Sequence, residues 1–200
     1  MLRFRKFNIA DWFSFYRIVA APALVILLLL REREIFTWLL LVSFATDMID
    51  GFLARRLHIT SPRGSQLDSL GDQITLIIGV AGLLTFEYRF IMDHLTLILI
   101  AFIPYILQML IAFIKYGRAT AFHTYLAKFS AIVQGVFILY TLFFAPIELF
   151  LYLTLAAGVL ETIEEITLIF MFREWRSDVK GIFWALKERY GNSQSTEESQ

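Results

Sequence analysis

Residues 95–115 read LTLILIAFIPYILQMLIAFIK, and Lys115 is the only charged residue among them. A run this long and apolar matches the hydrocarbon core of a bilayer, which takes about 20 residues of helix. It is continuous rather than alternating, so a half-buried strand fits poorly. Further apolar stretches flank it at 12–31, 35–54, 68–86, 125–145 and 148–172. The expected fold is therefore all-α: an integral membrane bundle of six transmembrane helices over residues 1–172. The first stretch is too long for a cleavable signal peptide, and no small-residue cleavage site follows it. No internal repeat is visible.

Composition agrees. Of 200 residues, 58 % are hydrophobic and 18 % charged, with mean hydropathy +0.65. Soluble domains run at about 45–50 % apolar and about 25 % charged. The 18 Lys+Arg and 18 Asp+Glu cancel, which excludes the basic face a nucleic-acid binder needs. The 20 Phe, 8 Tyr and 4 Trp exclude a disordered chain. Without Cys there is no disulfide framework, thiolate nucleophile or Cys-based zinc site.

Orientation follows from Lys and Arg in the connections. One side carries Arg3, Arg5, Lys6, Arg55, Arg56, Arg63, Lys115, Arg118, Lys128, Arg173, Arg176, Lys180, Lys187 and Arg189. The other carries only Arg31, Arg33 and Arg89. The basic side is expected in the cytoplasm with both termini, making a multi-pass inner-membrane protein. The first seven residues form a short basic interfacial stretch. Trp175, Val179, Ile182, Phe183, Leu186 and Tyr190 recur at helical spacing among cations. Residues 173–190 thus read as an amphipathic interfacial helix on an anionic leaflet. An equally open reading is a surface helix packed on the cytoplasmic end of the bundle. Residues 191–200 are polar and expected to be a disordered tail.

The informative feature is acidic. Asp47, Asp50, Asp68 and Asp72 lie in or beside apolar segments. A carboxylate at the bilayer centre costs about 2.5–3.5 kcal/mol on insertion scales. Several together persist only in a polar cavity that supplies positive charge. Asp47 and Asp50 are i, i+3 on one helix, and Asp68 and Asp72 are i, i+4 on the next. A short connection with turn residues Ser61, Pro62 and Gly64 makes the two helices antiparallel. Both carboxylate pairs then meet near the cytoplasmic surface. Oxygen-only ligands suit a hard cation such as Mg²⁺, Mn²⁺ or Ca²⁺. A cation beside arginine and glycine suits a phosphate or pyrophosphate. The plainer alternative is helix-end carboxylates paired with Arg55, Arg56 and Arg63.

The full pattern is Asp47-x2-Asp50-Gly51-x2-Ala54-Arg55-x8-Gly64-x3-Asp68-x3-Asp72. It resembles the signature of the CDP-alcohol phosphatidyltransferase family at every fixed position and spacing. Asn8-Ile9-x4-Ser14-x2-Arg17-x4-Pro22 is similar to the first-helix entry of that family's phosphatidylglycerophosphate-synthase branch. Ala10 and Ser14 stand where that branch commonly has Pro and Thr. Ala127-Lys128-x-Ser130-Ala131-x2-Gln134 resembles the opening of its fifth helix, with Ala for Gly and the hydroxyl one place early. Gln73 replaces a common Lys, and no Pro follows Asp68.

The resemblance implies transfer of a phosphatidyl group from CDP-diacylglycerol to an alcohol, with release of CMP. It implies Mg²⁺ or Mn²⁺ held by Asp47, Asp50, Asp68 and Asp72, with Asp72 also the catalytic base. It assigns CDP binding to Asn8, Asp50, Gly51, Ala54, Arg55 and Gly64, and suggests a homodimer in the membrane. Glycerol 3-phosphate is the first choice of acceptor, with serine and inositol phosphate behind it. The run Asp68-Ser69-Leu70-Gly71-Asp72 is similar to the serine-transferring branch. CDP-choline or CDP-ethanolamine is the alternative donor.

A phosphorylated acceptor needs cations, and Arg118 and Lys128 are the candidates, with His123 able to help. They are otherwise topology residues of the positive-inside rule. Glu161, Glu164 and Glu165 cluster on the last apolar stretch. They either order the acceptor pocket, pair with Lys128 or Arg17, or make a hydrogen-bonded contact inside the bundle. Gly79, Ala81 and Gly82 could allow close packing between copies or within one bundle. The non-enzyme alternative is a small cation transporter, which predicts repeats and leaves Gly51, Ala54, Arg55 and Gly64 unexplained.

Overall fold

A computed structural model describes the backbone of residues 9–57, 62–120 and 122–187, and side chains at 16, 19–46, 71, 74–120 and 122–187. The regular elements of these residues are helices, in the order α1 (Ile9–Leu30), α2 (Arg33–Leu57), α3 (Pro62–Phe86), α4 (Tyr88–Asp93), α5 (Leu95–Tyr116), α6 (Tyr125–Phe143) and α7 (Glu148–Met171). Each of the six apolar stretches lies on a long helix. The short α4 is additional, between the third and fourth stretches.

α5 and α6 are long and apolar enough to cross a membrane. Val19–Leu30 and Ile74–Phe86 are shorter apolar helical runs. α7 matches them in length but carries Glu161, Glu164 and Glu165. The apolar helices fit a membrane bundle, and the hydrophobic side chains they expose fit a lipid surround. Pro22 and Pro104 lie inside α1 and α5. Each removes a backbone donor, which membrane helices tolerate where neighbours re-satisfy the freed carbonyl.

The chain divides into two compact units. The first comprises Met1–Met92 with Ile138–Pro146. Here α1 packs on both α2 and α3, and α2 on α3. Its core holds Leu24, Phe36, Leu40, Leu83, Ile138 and Leu142. Gly79 and Gly82 are buried in this unit, facing Ile138 and Leu40, and Phe36 and Leu142 respectively. Of the two roles open to these glycines, they serve close packing inside the chain.

Arg33 ties this unit together. Its Nη2 lies 2.7 Å from Glu87 Oε1 and donates to the Thr141 carbonyl at 3.0 Å. Its Nε donates to the Leu142 carbonyl at 2.9 Å. Thr141 and Leu142 belong to the last turn of α6, whose carbonyls lack intrahelical donors and carry the negative end of the helix dipole. One side chain thus joins the start of α2, the end of α3 and the end of α6.

The second unit comprises Asp93–Phe137 with Ile147–Gln200. α5 packs on α7. α5 stops where Gly117 turns left-handed (φ 69°) and its N–H bonds the Phe113 carbonyl at 2.9 Å. Ala112, Phe122, Leu168, Ile169 and Ala185 form the core of this unit.

The segment after α7 corrects the expectation of one amphipathic helix over 173–190. Residues 173–181 are not helical, and helix resumes only at 182–187. Asp178 (φ 58°) and Gly181 (φ 145°) take backbone angles incompatible with an α-helix, which interrupts the run. Ala185 is buried while Val179 and Ile182 are half-buried against the same core. The segment therefore packs on its own bundle end, while Phe183, Trp184 and Leu186 point outward. Residues 1–8 and 188–200, with the expected basic stretch and tail, lie outside the described residues.

Candidate active site

The aspartates fall on two adjacent helices. Asp47 and Asp50 lie on α2, one turn apart, and Asp68 and Asp72 on α3, one turn apart. Gly51, Ala54 and Arg55 continue α2, and Gly64 sits in the first turns of α3. Both helices run further than the apolar pattern suggested. Arg55 and Pro62–Gly64 are helical, and only 58–61 remain between the helices. Pro62 suits a first helical position, because its missing N–H would have no partner there.

The side chains of Asp47, Asp50, Gly51, Ala54, Arg55, Gly64, Asp68 and Asp72 lie outside the described residues, as does Asn8 entirely. Their immediate neighbours are described. The Thr46 hydroxyl donates to the Ser43 carbonyl at 2.8 Å. Gly71, between the acids of α3, is buried, and its carbonyl accepts the Thr75 hydroxyl at 2.8 Å. The four aspartates of the pattern offer carboxylate oxygens alone, which fits a hard divalent cation. Among the described residues no group of three or more His, Cys, Asp or Glu is placed to hold a metal.

The acceptor candidates belong to the second unit. Arg118 follows Gly117 in the connection after α5, with its guanidinium 4.0 Å from the Trp175 ring centroid. Lys128 lies in the first turn of α6, its Nζ 5.7 Å over the Tyr125 ring. Both are exposed. His123 is exposed and held at φ 53°. No bond between any two of these three is found among the described residues.

The glutamates of α7 make bundle contacts. Glu165 Oε2 accepts Gln108 Nε2 and Thr120 Oγ1, each at 2.7 Å, and Gln108 Nε2 also donates to Thr120 at 2.8 Å. Glu164 Oε1 accepts the Ile182 N–H at 3.3 Å. Ser130, which faces Glu161, accepts Gln134 Nε2 at 3.1 Å. Among the described residues, Glu164 and Glu165 make the hydrogen-bonded contact. Gln108 was legible in principle: it is the lone amide inside the 95–115 run, and an amide there needs a partner.

The family model described as CDP-alcohol phosphatidyltransferase matches residues 7–171. A CDP-diacylglycerol–glycerol-3-phosphate 3-phosphatidyltransferase of Wigglesworthia glossinidia brevipalpis is 29 % identical over 98 residues, covering 48 % of this chain and 54 % of that protein. The Haemophilus influenzae protein of the same name is 27 % identical over 88 residues, 42 % of this chain and 48 % of that one. That of Blochmanniella floridana is 34 % identical over 74 residues, 36 % and 39 %. The chain thus spans about half the length of the curated relatives it matches first. No solved structure matches it significantly.

Proposed function

The chain belongs to the CDP-alcohol phosphatidyltransferase family, and from that premise we propose that it transfers the phosphatidyl group of CDP-diacylglycerol to glycerol 3-phosphate and releases CMP. One observation carries the reading. The full aspartate pattern, from Asp47 to Asp72, falls inside the matched residues and on two adjacent helices. The named relatives support glycerol 3-phosphate as acceptor.

The chemistry follows from the residue types. The acceptor hydroxyl oxygen attacks the phosphorus that bears diacylglycerol. The bond from that phosphorus to the bridging oxygen breaks, and CMP leaves with the electron pair. Asp72 takes the hydroxyl proton, as a carboxylate within hydrogen-bond reach can. Asp47, Asp50, Asp68 and Asp72 would hold Mg²⁺ or Mn²⁺, which supplies charge neutralisation at the pyrophosphate. Arg55 binds phosphate oxygens. Gly51 and Ala54 leave room for cytidine, and Gly64 allows close backbone approach. Asp50 and Asn8 complete the nucleotide contacts.

The proposed setting is a six-crossing inner-membrane protein, with the site and both termini in the cytoplasm, acting as a homodimer. The lysine and arginine asymmetry supports that orientation.

The test is direct. Purified protein with CDP-diacylglycerol, Mg²⁺ or Mn²⁺ and separate alcohols is expected to release CMP with glycerol 3-phosphate and to stop on chelation. CMP release with serine or inositol phosphate instead reassigns the acceptor. Ion flux in liposomes without CMP release overturns the enzyme.

Arg118 and Lys128 are the proposed contacts for the acceptor phosphate. A charge-assisted hydrogen bond is worth about 1.5–3 kcal/mol. The Arg118→Ala, Lys128→Ala double variant should therefore raise KM for glycerol 3-phosphate by one to a few orders of magnitude, roughly. KM for CDP-diacylglycerol should stay put. An unchanged acceptor KM removes these residues from the site.

A further inference from the structure

Residues 172–187 do more than end the chain's last long helix. They clasp the connection between α5 and α6. The Trp175 indole N–H donates to the Ala119 carbonyl at 3.0 Å, and its ring lies under the Arg118 guanidinium. The Lys180 carbonyl accepts the Tyr125 N–H at 3.2 Å. Glu164 Oε1 holds the Ile182 N–H, and Ala185 is buried against Phe122 and Leu168. A Cβ at Gly181 would lie 3.0 Å from the same Glu164 oxygen, so the strap runs close over α7.

The opposite face of this strap is apolar and outward. Phe183 is 68 % exposed, with Trp184 and Leu186 beside it. Trp184 packs on Tyr125 with ring centroids 5.3 Å apart. Tyr125 and Phe129 are exposed one turn apart on α6, a helix apolar enough to cross a bilayer. The strap's outward face therefore continues a lipid-facing aromatic face, the position aromatic residues favour at a membrane interface. Around it Arg173, Arg176, Lys180 and Lys187 are exposed, against Glu174 and Asp178.

We propose that the strap is an anionic-lipid sensor: it seats on acidic headgroups of the leaflet and thereby fixes the connection that carries Arg118. The surface combines buried-ring anchoring with net positive charge, the pair of signals that favours an anionic over a zwitterionic interface. Trp175 is a positioning residue, transmitting the seat to Arg118. The consequence for turnover rests on the phosphatidyl-transfer reading; the seat itself does not.

Hydrogen exchange of the whole protein in nanodiscs tests it. Discs of phosphatidylcholine are compared with discs containing phosphatidylserine or phosphatidylglycerol. Amides of 172–187 and 117–125 are expected to exchange more slowly in both kinds of anionic disc, on the order of tenfold. Replacing Arg173, Arg176, Lys180 and Lys187 by Gln should erase the difference in both segments. Trp175→Ala should leave 172–187 protected and free only the amides around Arg118 and Ala119, which Trp175 holds. Equal exchange in neutral and anionic discs, or a difference that survives the four Gln substitutions, overturns the proposal. A response to phosphatidylglycerol alone also overturns it, in favour of a headgroup-specific site. Loss of CMP release with the exchange pattern intact would fault the reaction; the reverse would fault the sensor.

Discussion

Replacing Asp72 by Asn is expected to slow CMP release by about 10²–10⁴-fold, the range a positioned general base supplies. The amide keeps the shape of the carboxylate but cannot take the acceptor's proton. α3 should form unchanged, because Asp72 is one residue of a 25-residue helix. Binding of CDP-diacylglycerol, followed by titration calorimetry in detergent, should survive. Cation affinity should weaken as well, because the same carboxylate shares the ion; a rate that falls no further than in Asp47→Asn would assign Asp72 to the metal alone. A rate near that of the unsubstituted protein would remove both roles. The matching Asp47→Asn substitution separates the cases, since it should weaken the cation without removing a base.

The second large effect is on stability. A Cβ at Gly82 would lie 2.6 Å from Phe36 Cε1 and 2.8 Å from Cζ. Phe36 is wholly buried and tilted against Phe86 at 5.6 Å, so its ring has nowhere to retreat. Gly82→Ala should therefore cost about 1–3 kcal/mol, the usual range for overpacking a dense core. Its thermal midpoint in detergent should fall clearly below that of the unsubstituted protein. Gly135→Ala is the control: a Cβ there meets nothing within 4 Å, so its midpoint should hold or rise slightly. Equal midpoints for both variants would mean that the α2–α3 contact yields freely.

The long helices were legible because each is an uninterrupted apolar run, a pattern that needs no tertiary information. The aspartate pattern was legible because four acids beside such runs demand a partner of opposite charge. Three other features were not. The role of Arg33 depends on the end of α6, more than a hundred positions away, and in sequence it looked like one of three sparse topology residues. α4 was invisible because six residues between long runs carry too short a period to read. The strap misled for a physical reason: Trp175, Val179, Ile182 and Leu186 do have helical spacing, but positive φ at Asp178 and at Gly181 breaks the helix. Spacing records which residues share a face; it does not register the backbone angles between them.

The division of the chain bears on how it is made. The first unit draws its last wall from Ile138–Pro146, so a ribosome must deliver much of the second unit before that wall emerges. Until then Arg33 has Glu87 but neither carbonyl of the α6 terminus, and Phe36 and Gly82 lack the side chain of Leu142. The aspartate-bearing helices are thus born into an unfinished scaffold that closes only late in translation, and a message cut after Met92 would yield a piece without its keystone.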